Sequence, residues 1–126
     1  MTWEFDNNKP IYLQLLDILK FKIISGELPA GSKLSSVRDM AEEAGVNPNT
    51  MQKALVELER KNLVYSQRTS GRFVTDDEEK IKSMREEVAN IEIKSLSEIL
   101  VKLGYEKDEL VEVIIKSLEE VRQWVI

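Results

Sequence analysis

The chain has 126 residues, of which 42% are hydrophobic and 33% charged, a balance that supports a folded core rather than a disordered tail. It contains neither cysteine nor histidine, which excludes disulfides, thiolate or imidazole metal sites, a thiol nucleophile and a histidine-based triad. No apolar run approaches the ~20 residues of a membrane span, and the opening MTWEFDNNKP lacks the basic start and apolar stretch of a signal peptide.

These exclusions predict a cytoplasmic protein that is not an enzyme and needs no cofactor or metal. The net charge of −5 is unevenly spread. Residues 1–75 carry ten Lys/Arg against nine Asp/Glu, whereas residues 76–126 carry eight against fourteen. Within 46–75 the balance is locally basic, with Lys53, Arg60, Lys61, Arg68 and Arg72 against Glu57 and Glu59. Exposed charges lying well beyond a Debye length of ~8–10 Å are screened from one another, so an acidic tail is compatible with a basic face elsewhere.

Trp3 and Phe5 alternate with polar neighbours and predict a very short strand or an anchored arm. Pro10 is suited to the first position of a helix, where its missing N–H costs nothing. Ile11, Leu15, Leu16, Ile18, Leu19 and Ile23 then form one apolar face, ended at Gly26. A short second helix is predicted from Ser36, capped through Ser36 and Asp39, with Val37, Met40, Ala41 and Ala44 inward and Gly45 as a left-handed stop. Asn47 as N-cap and Pro48 as first residue open a third helix, whose Met51, Ala54, Leu55 and Leu58 face inward until Asn62. Leu63–Tyr65 and Arg72–Val74 read as two strands joined by a turn at Ser70-Gly71.

Beyond Thr75 the pattern changes. Asp76, Asp77, Glu78 and Glu79 open a long helix as solvated acids favoured by the helix dipole, a commoner role for such a run than a metal site. Ile81, Met84, Val88 and Ile91 recur at spacings of 3, 4 and 3, and the seam resumes at Leu96, Leu100 and Leu103 before Gly104. A last helix from Lys107-Asp108 aligns Leu110, Val111, Ile114, Ile115, Leu118, Val121 and Val125.

The predicted class is therefore mainly α (α+β): a winged helix-turn-helix over 1–75, then a C-terminal helical-hairpin dimerisation segment over 76–126. Two such amphipathic helices cannot bury both apolar faces alone, which predicts a homodimer packed through Met84, Val88, Ile91, Leu96, Leu100, Leu103, Leu110, Ile114, Leu118 and Val121. In this geometry the third helix offers Asn47, Asn49, Thr50, Gln52 and Lys53 to the major groove of double-stranded DNA. Asn and Gln amides there are able to read adenine with two hydrogen bonds. The hairpin tip, Arg68-Thr69-Ser70-Gly71-Arg72, adds two cations and a glycine permitting close approach to the backbone or minor groove. A twofold dimer in turn predicts an inverted-repeat operator.

The stretch from PIYLQ through G-x-L-P-x-G-x-x-L, SVRDMA and GVNPNT to SGRFV resembles the DNA-binding domain of GntR-type regulators over about half the chain. That resemblance implies DNA contacts by Arg38, the start of the third helix and Gly71, and repression as the mode of regulation; Ser36, at the start of the second helix, is a further candidate DNA contact. Ser35 departs from the proline usual in the family, and Arg72 from a common threonine. The short helical tail looks like the YtrA-type subfamily, which implies transporter or envelope-stress genes as targets. A small-molecule effector is not readable from the residues. The alternative reading is a winged-helix protein-interaction module whose acidic helical tail docks a partner protein.

Overall fold

A computed structural model describes residues 3–125, with side chains through Gln123. The elements are α1 (Ile11–Ile24), α2 (Val37–Ala44), α3 (Pro48–Arg60), β1 (Val64–Gln67), β2 (Gly71–Val74), α4 (Glu78–Lys102) and α5 (Lys107–Val125). They fall into two compact units, Met1–Arg85 and Glu86–Ile126. The first unit extends beyond the expected boundary at Thr75, because Ile81 in the second turn of α4 is buried with it.

In the first unit α3 is the central element, packed against α1, α2 and β1. Its apolar positions follow the helical period of about 3.6 residues, so Met51, Ala54, Leu55 and Leu58 all point inward and are buried. Leu15, Leu19 and Ile23 of α1 and Met40, Ala41 and Ala44 of α2 complete the core, closed below by Leu63, Val64 and Val74. Each fully buried aliphatic side chain contributes up to roughly 1.5–3 kcal/mol.

The helix ends follow the residues that mark them. Ser36 Oγ accepts from the Asp39 N–H at 3.1 Å, and Asn47 Oδ1 accepts from the Asn49 N–H at 2.8 Å. The reciprocal bond expected from Asp39 to the Ser36 N–H is not formed among the described residues. Gly45, at φ +70°, ends α2 with Val46 N–H bonded to the Ala41 carbonyl. Asn62, at φ +61°, ends α3 in the same way, with Leu63 N–H bonded to Leu58. Pro10 lies one place earlier than expected, as the N-cap of α1, and contributes no side-chain cap. Gln14 instead ties the preceding arm to the helix, donating to the carbonyls of Asp6 and Lys9 while accepting from the Asp6 N–H. The N-terminal stretch is an anchored arm rather than a strand: Trp3 Nε1 donates to Glu43, and the Lys22 ammonium lies 4.5 Å from the Trp3 ring centre.

β1 and β2 are antiparallel, with Tyr65 opposite Phe73 and Gln67 opposite Gly71. Both strands reach nearer the turn than expected, leaving Arg68-Thr69-Ser70 as the tip. A third extended segment was not foreseen. Ser32–Leu34 lies on the other edge of β2, with the Leu34 N–H bonded to the Arg72 carbonyl and the Val74 N–H to Ser32. Three residues between a glycine and two serines are too few to show a period of two.

The start of α4 is tied to two other helices. Asp77 caps it through the Lys80 N–H. Lys80 Nζ donates to the carbonyl of Lys61 at the end of α3, and Arg85 Nε to that of Ile24 at the end of α1. Both cations thus satisfy carbonyls that a helix end leaves open.

The second unit is of another kind. No described side chain from Glu86 to Gln123 is buried. Ile91 is 62% exposed, Leu103 68% and Leu118 61%. Leu96 and Val121 are exposed as well, while Met84, Val88, Leu100, Leu110 and Ile114 are half-buried. Gly104, at φ +97°, ends α4 as expected. The side chain of Val125 lies outside the described residues. Among the described residues no helix is long and apolar enough to cross a membrane, and no acidic cluster has the makings of a metal site.

Leu55, 1% exposed at the centre of α3, tests this account of the core. Leu55→Ala is expected to cost about 2–5 kcal/mol in urea unfolding.

Candidate nucleic-acid interface

Burying one face of α3 turns the opposite face outward. Asn49, Gln52 and Lys53 lie there at helical spacing, all exposed, with Thr50 half-buried beside them. Asn47 is exposed too, but its carbonyl oxygen is engaged in capping. The Lys53 ammonium lies 4.6 Å from the ring centre of Tyr12 on α1, a cation–π contact that holds it at the edge of this face.

A cleft beside α3 joins the start of α2 to the hairpin, and Lys33, Ser35, Ser36, Ser70, Gly71 and Arg72 line it. Gly71 has φ +106°, a backbone conformation that calls for glycine, while a Cβ added there would meet only the flexible end of Lys33, 3.3 Å from its Cε. Arg38, Arg68, Thr69 and Ser70 are exposed. Neither Arg38 nor Arg68 has an ion-pair partner among the described residues.

Arg72 is placed differently from the free wing-tip cation expected. Its side chain is 19% exposed, its Nε donates to Glu59 Oε1 at 2.6 Å, and its Nη1 donates to Gln52 Oε1 at 3.1 Å. Ser66 Oγ donates to the same Glu59 oxygen at 2.6 Å. These bonds join β1, β2 and α3, and the Tyr65 and Phe73 rings stack 5.6 Å apart on the same hairpin. The hydrogen bond from Ser66 is the main cause that holds the Glu59 carboxyl below its usual pKa; partial burial opposes it, and Arg72 adds to it by hydrogen bond and charge.

Sequence reasoning singled out residues on α3, at Ser36 and Arg38 and at the tip; the structure links α3 to the hairpin through Gln52 and Arg72, and the start of α2 to the tip through the shared cleft. It missed Lys33, which reaches the cleft only because Ser32–Leu34 joins the sheet edge. It also missed the tie through Glu59, since charge counting does not reveal which cations are held internally. The apolar residues expected at a dimer contact belong to α4 and α5, apart from Leu103 just beyond the end of α4.

A three-helix core carrying a hairpin beside an outward-facing third helix defines a winged helix-turn-helix, a DNA-binding architecture. The sequence profile of the bacterial regulatory proteins of the gntR family matches residues 11–74, about half the chain. The chain belongs to this family and is a DNA-binding transcriptional regulator. It is 34% identical to the HTH-type transcriptional regulator YhcF of Bacillus subtilis over 89% of its own length and 93% of that protein's. It is 35% identical to the transcriptional repressor YtrA of the same organism, over 56% of this chain and 55% of that one. A GntR family transcriptional regulator from Listeria monocytogenes has the same fold with a TM-score of 0.79, at 34% identity, over 89% of this chain and 98% of that chain. The DNA-binding domain of AraR in complex with operator ORX1 matches with a TM-score of 0.50, at 27% identity, over 53% of this chain and 81% of that chain.

The depressed Glu59 carboxyl stabilises the fold when ionised. Its contribution is complete above the ordinary carboxylate pKa and is lost as pH falls through the lowered one. Glu59→Gln is expected to cost about 1 kcal/mol at neutral pH. In urea melts across pH, that difference from the native chain should close in acid; a difference constant with pH would contradict the role of the charge.

Proposed function

We propose that the protein is a homodimeric repressor that binds an inverted-repeat operator in the cytoplasm. The first turns of α3 lie in the major groove of each half-site, and the tip Arg68–Gly71 lies against the neighbouring backbone. Arg38, Lys53 and Arg68 neutralise phosphates, while Asn49, Thr50 and Gln52 face base edges. Ser36, Asn47 and Arg72 act mainly by holding this surface in shape.

The observation that carries the dimer is the absence of any buried side chain from Glu86 to Gln123, in helices with continuous apolar faces. Leaving such faces in water costs on the order of 25 cal/mol per Å², and a second copy would cover them in a closed twofold pair. Repression follows by analogy with the relative named as a repressor; a target among transporter or envelope-stress genes rests on the resemblance of the short helical tail to the YtrA-type subfamily. Occlusion of a promoter needs no catalytic step, cofactor or metal.

Two measurements test this reading. Sedimentation equilibrium is expected to give twice the chain mass, and Ile91→Glu with Leu118→Glu to give the single mass. Fluorescence titration on the protein's own promoter is expected to show specific binding that Asn49→Ala with Lys53→Ala weakens at least tenfold. The log–log salt slope should flatten by about 0.9 for each phosphate-contacting cation removed. Equal affinity for every duplex would exclude the operator, and a native monomer would exclude the pair.

A further inference from the structure

We infer that Arg72 holds Gln52 as a one-sided hydrogen-bond donor, so that the base pair met by Gln52 in each half-site presents guanine rather than adenine. The inference deepens the proposed operator reading and rests on α3 entering the major groove.

A free glutamine amide offers one acceptor and two donor hydrogens, and reads adenine by accepting from N6 while donating to N7. That was the expectation for this position. In the structure the amide is not free to choose. A guanidinium carries N–H donors only, so the atom it meets on Gln52 must be the carbonyl oxygen. Arg72 Nη1 approaches Oε1 at 3.1 Å. Turning the amide over would set NH₂ against N–H and leave both without an acceptor.

The guanidinium is itself fixed. Its Nε is held by Glu59 Oε1 at 2.6 Å, and Glu59 by Ser66. Arg72 is 19% exposed and Glu59 29%, so this chain of bonds is partly shielded from water, which strengthens each member. Gln52 is exposed on the outward face of α3, and its Nε2 has no hydrogen-bond partner among the described residues. With one lone pair of Oε1 held by the Arg72 cation, the oxygen is a weaker acceptor for a second donor, and the polarised NH₂ is the stronger group for a base edge.

In the major groove guanine offers two acceptors, N7 and O6. Thymine offers O4 alone, adenine offers N7 beside a donor, and cytosine offers only a donor. A group that acts chiefly as a donor therefore ranks guanine first and cytosine last. Arg72 is a positioning residue here: it sets the identity of a base through a neighbour rather than by touching it.

The experiment is selection of bound duplexes from a random pool with the full-length native protein, Gln52→Ala, and Arg72→Met. Gln52→Ala identifies the base pair concerned as the one whose preference it erases. At that pair the native protein is expected to favour guanine over adenine by about tenfold, and Arg72→Met to bring adenine level with guanine or above it while selection elsewhere in the site persists. Should Arg72→Met fail to fold by circular dichroism, the exposed substitution Gln52→Glu serves instead. Arg72 then holds one carboxylate oxygen, the other accepts, and the preferred base becomes cytosine. Native selection of adenine, a profile unchanged by Arg72→Met in the folded protein, or no shift in Gln52→Glu would overturn the inference. Recovery of no preferred sequence at all by the native protein would instead remove the operator reading beneath it.

Discussion

The first unit depends on the division of α3 into two faces. Met51, Ala54, Leu55 and Leu58 commit one side of the helix to the core, and α1, α2 and β1 hold it from three directions. A helix gripped in this way has little freedom to rotate about its axis, because rotation would expose side chains worth several kcal/mol together. The residues on the other side are therefore presented at a defined angle. A surface that discriminates among base edges needs that rigidity, since hydrogen bonds weaken steeply with misalignment.

The cations divide by role in the same way. Lys80 and Arg85 satisfy carbonyls at the ends of α3 and α1, Arg72 bridges Glu59 and Gln52, and Lys53 leans on Tyr12. Arg38 and Arg68 remain exposed without an ion-pair partner among the described residues, and stand where a phosphate contact is proposed. A net charge of −5 is thus compatible with a DNA-binding face. The number of cations available is smaller than a count suggests, and the acidic residues are concentrated in α4 and α5. The departure at Arg72 illustrates the point: a residue that reads as an additional phosphate ligand is instead part of the support for α3.

The second unit shows the opposite balance. Its helices begin and end where their residues dictate, with acids in the first turns and Gly104 at the break, yet the described side chains from Glu86 to Gln123 find no interior. Helices of this kind owe most of their stability to tertiary packing rather than to intrinsic propensity. Under the proposed pairing, cover for these faces comes from outside the chain, so folding of this segment and assembly become one event.

Helix ends and inward faces were legible in the sequence because they are set by local chemistry: Ser36 and Asn47 cap, Gly45 and Asn62 take left-handed backbone, and apolar spacing names the buried side of α3. Resemblance over residues 10–74 carried the expectation of DNA binding, and the sequence profile, matching 11–74, supports it. Contacts between residues distant in the chain were decided only by tertiary structure. Ser32–Leu34 becomes a sheet edge because β2 lies beside it, Ile81 joins the first unit because α4 starts against α1, and Arg72 turns to Glu59 because the hairpin folds onto α3. No spacing or composition encodes such meetings, since each depends on where the rest of the chain has already been placed.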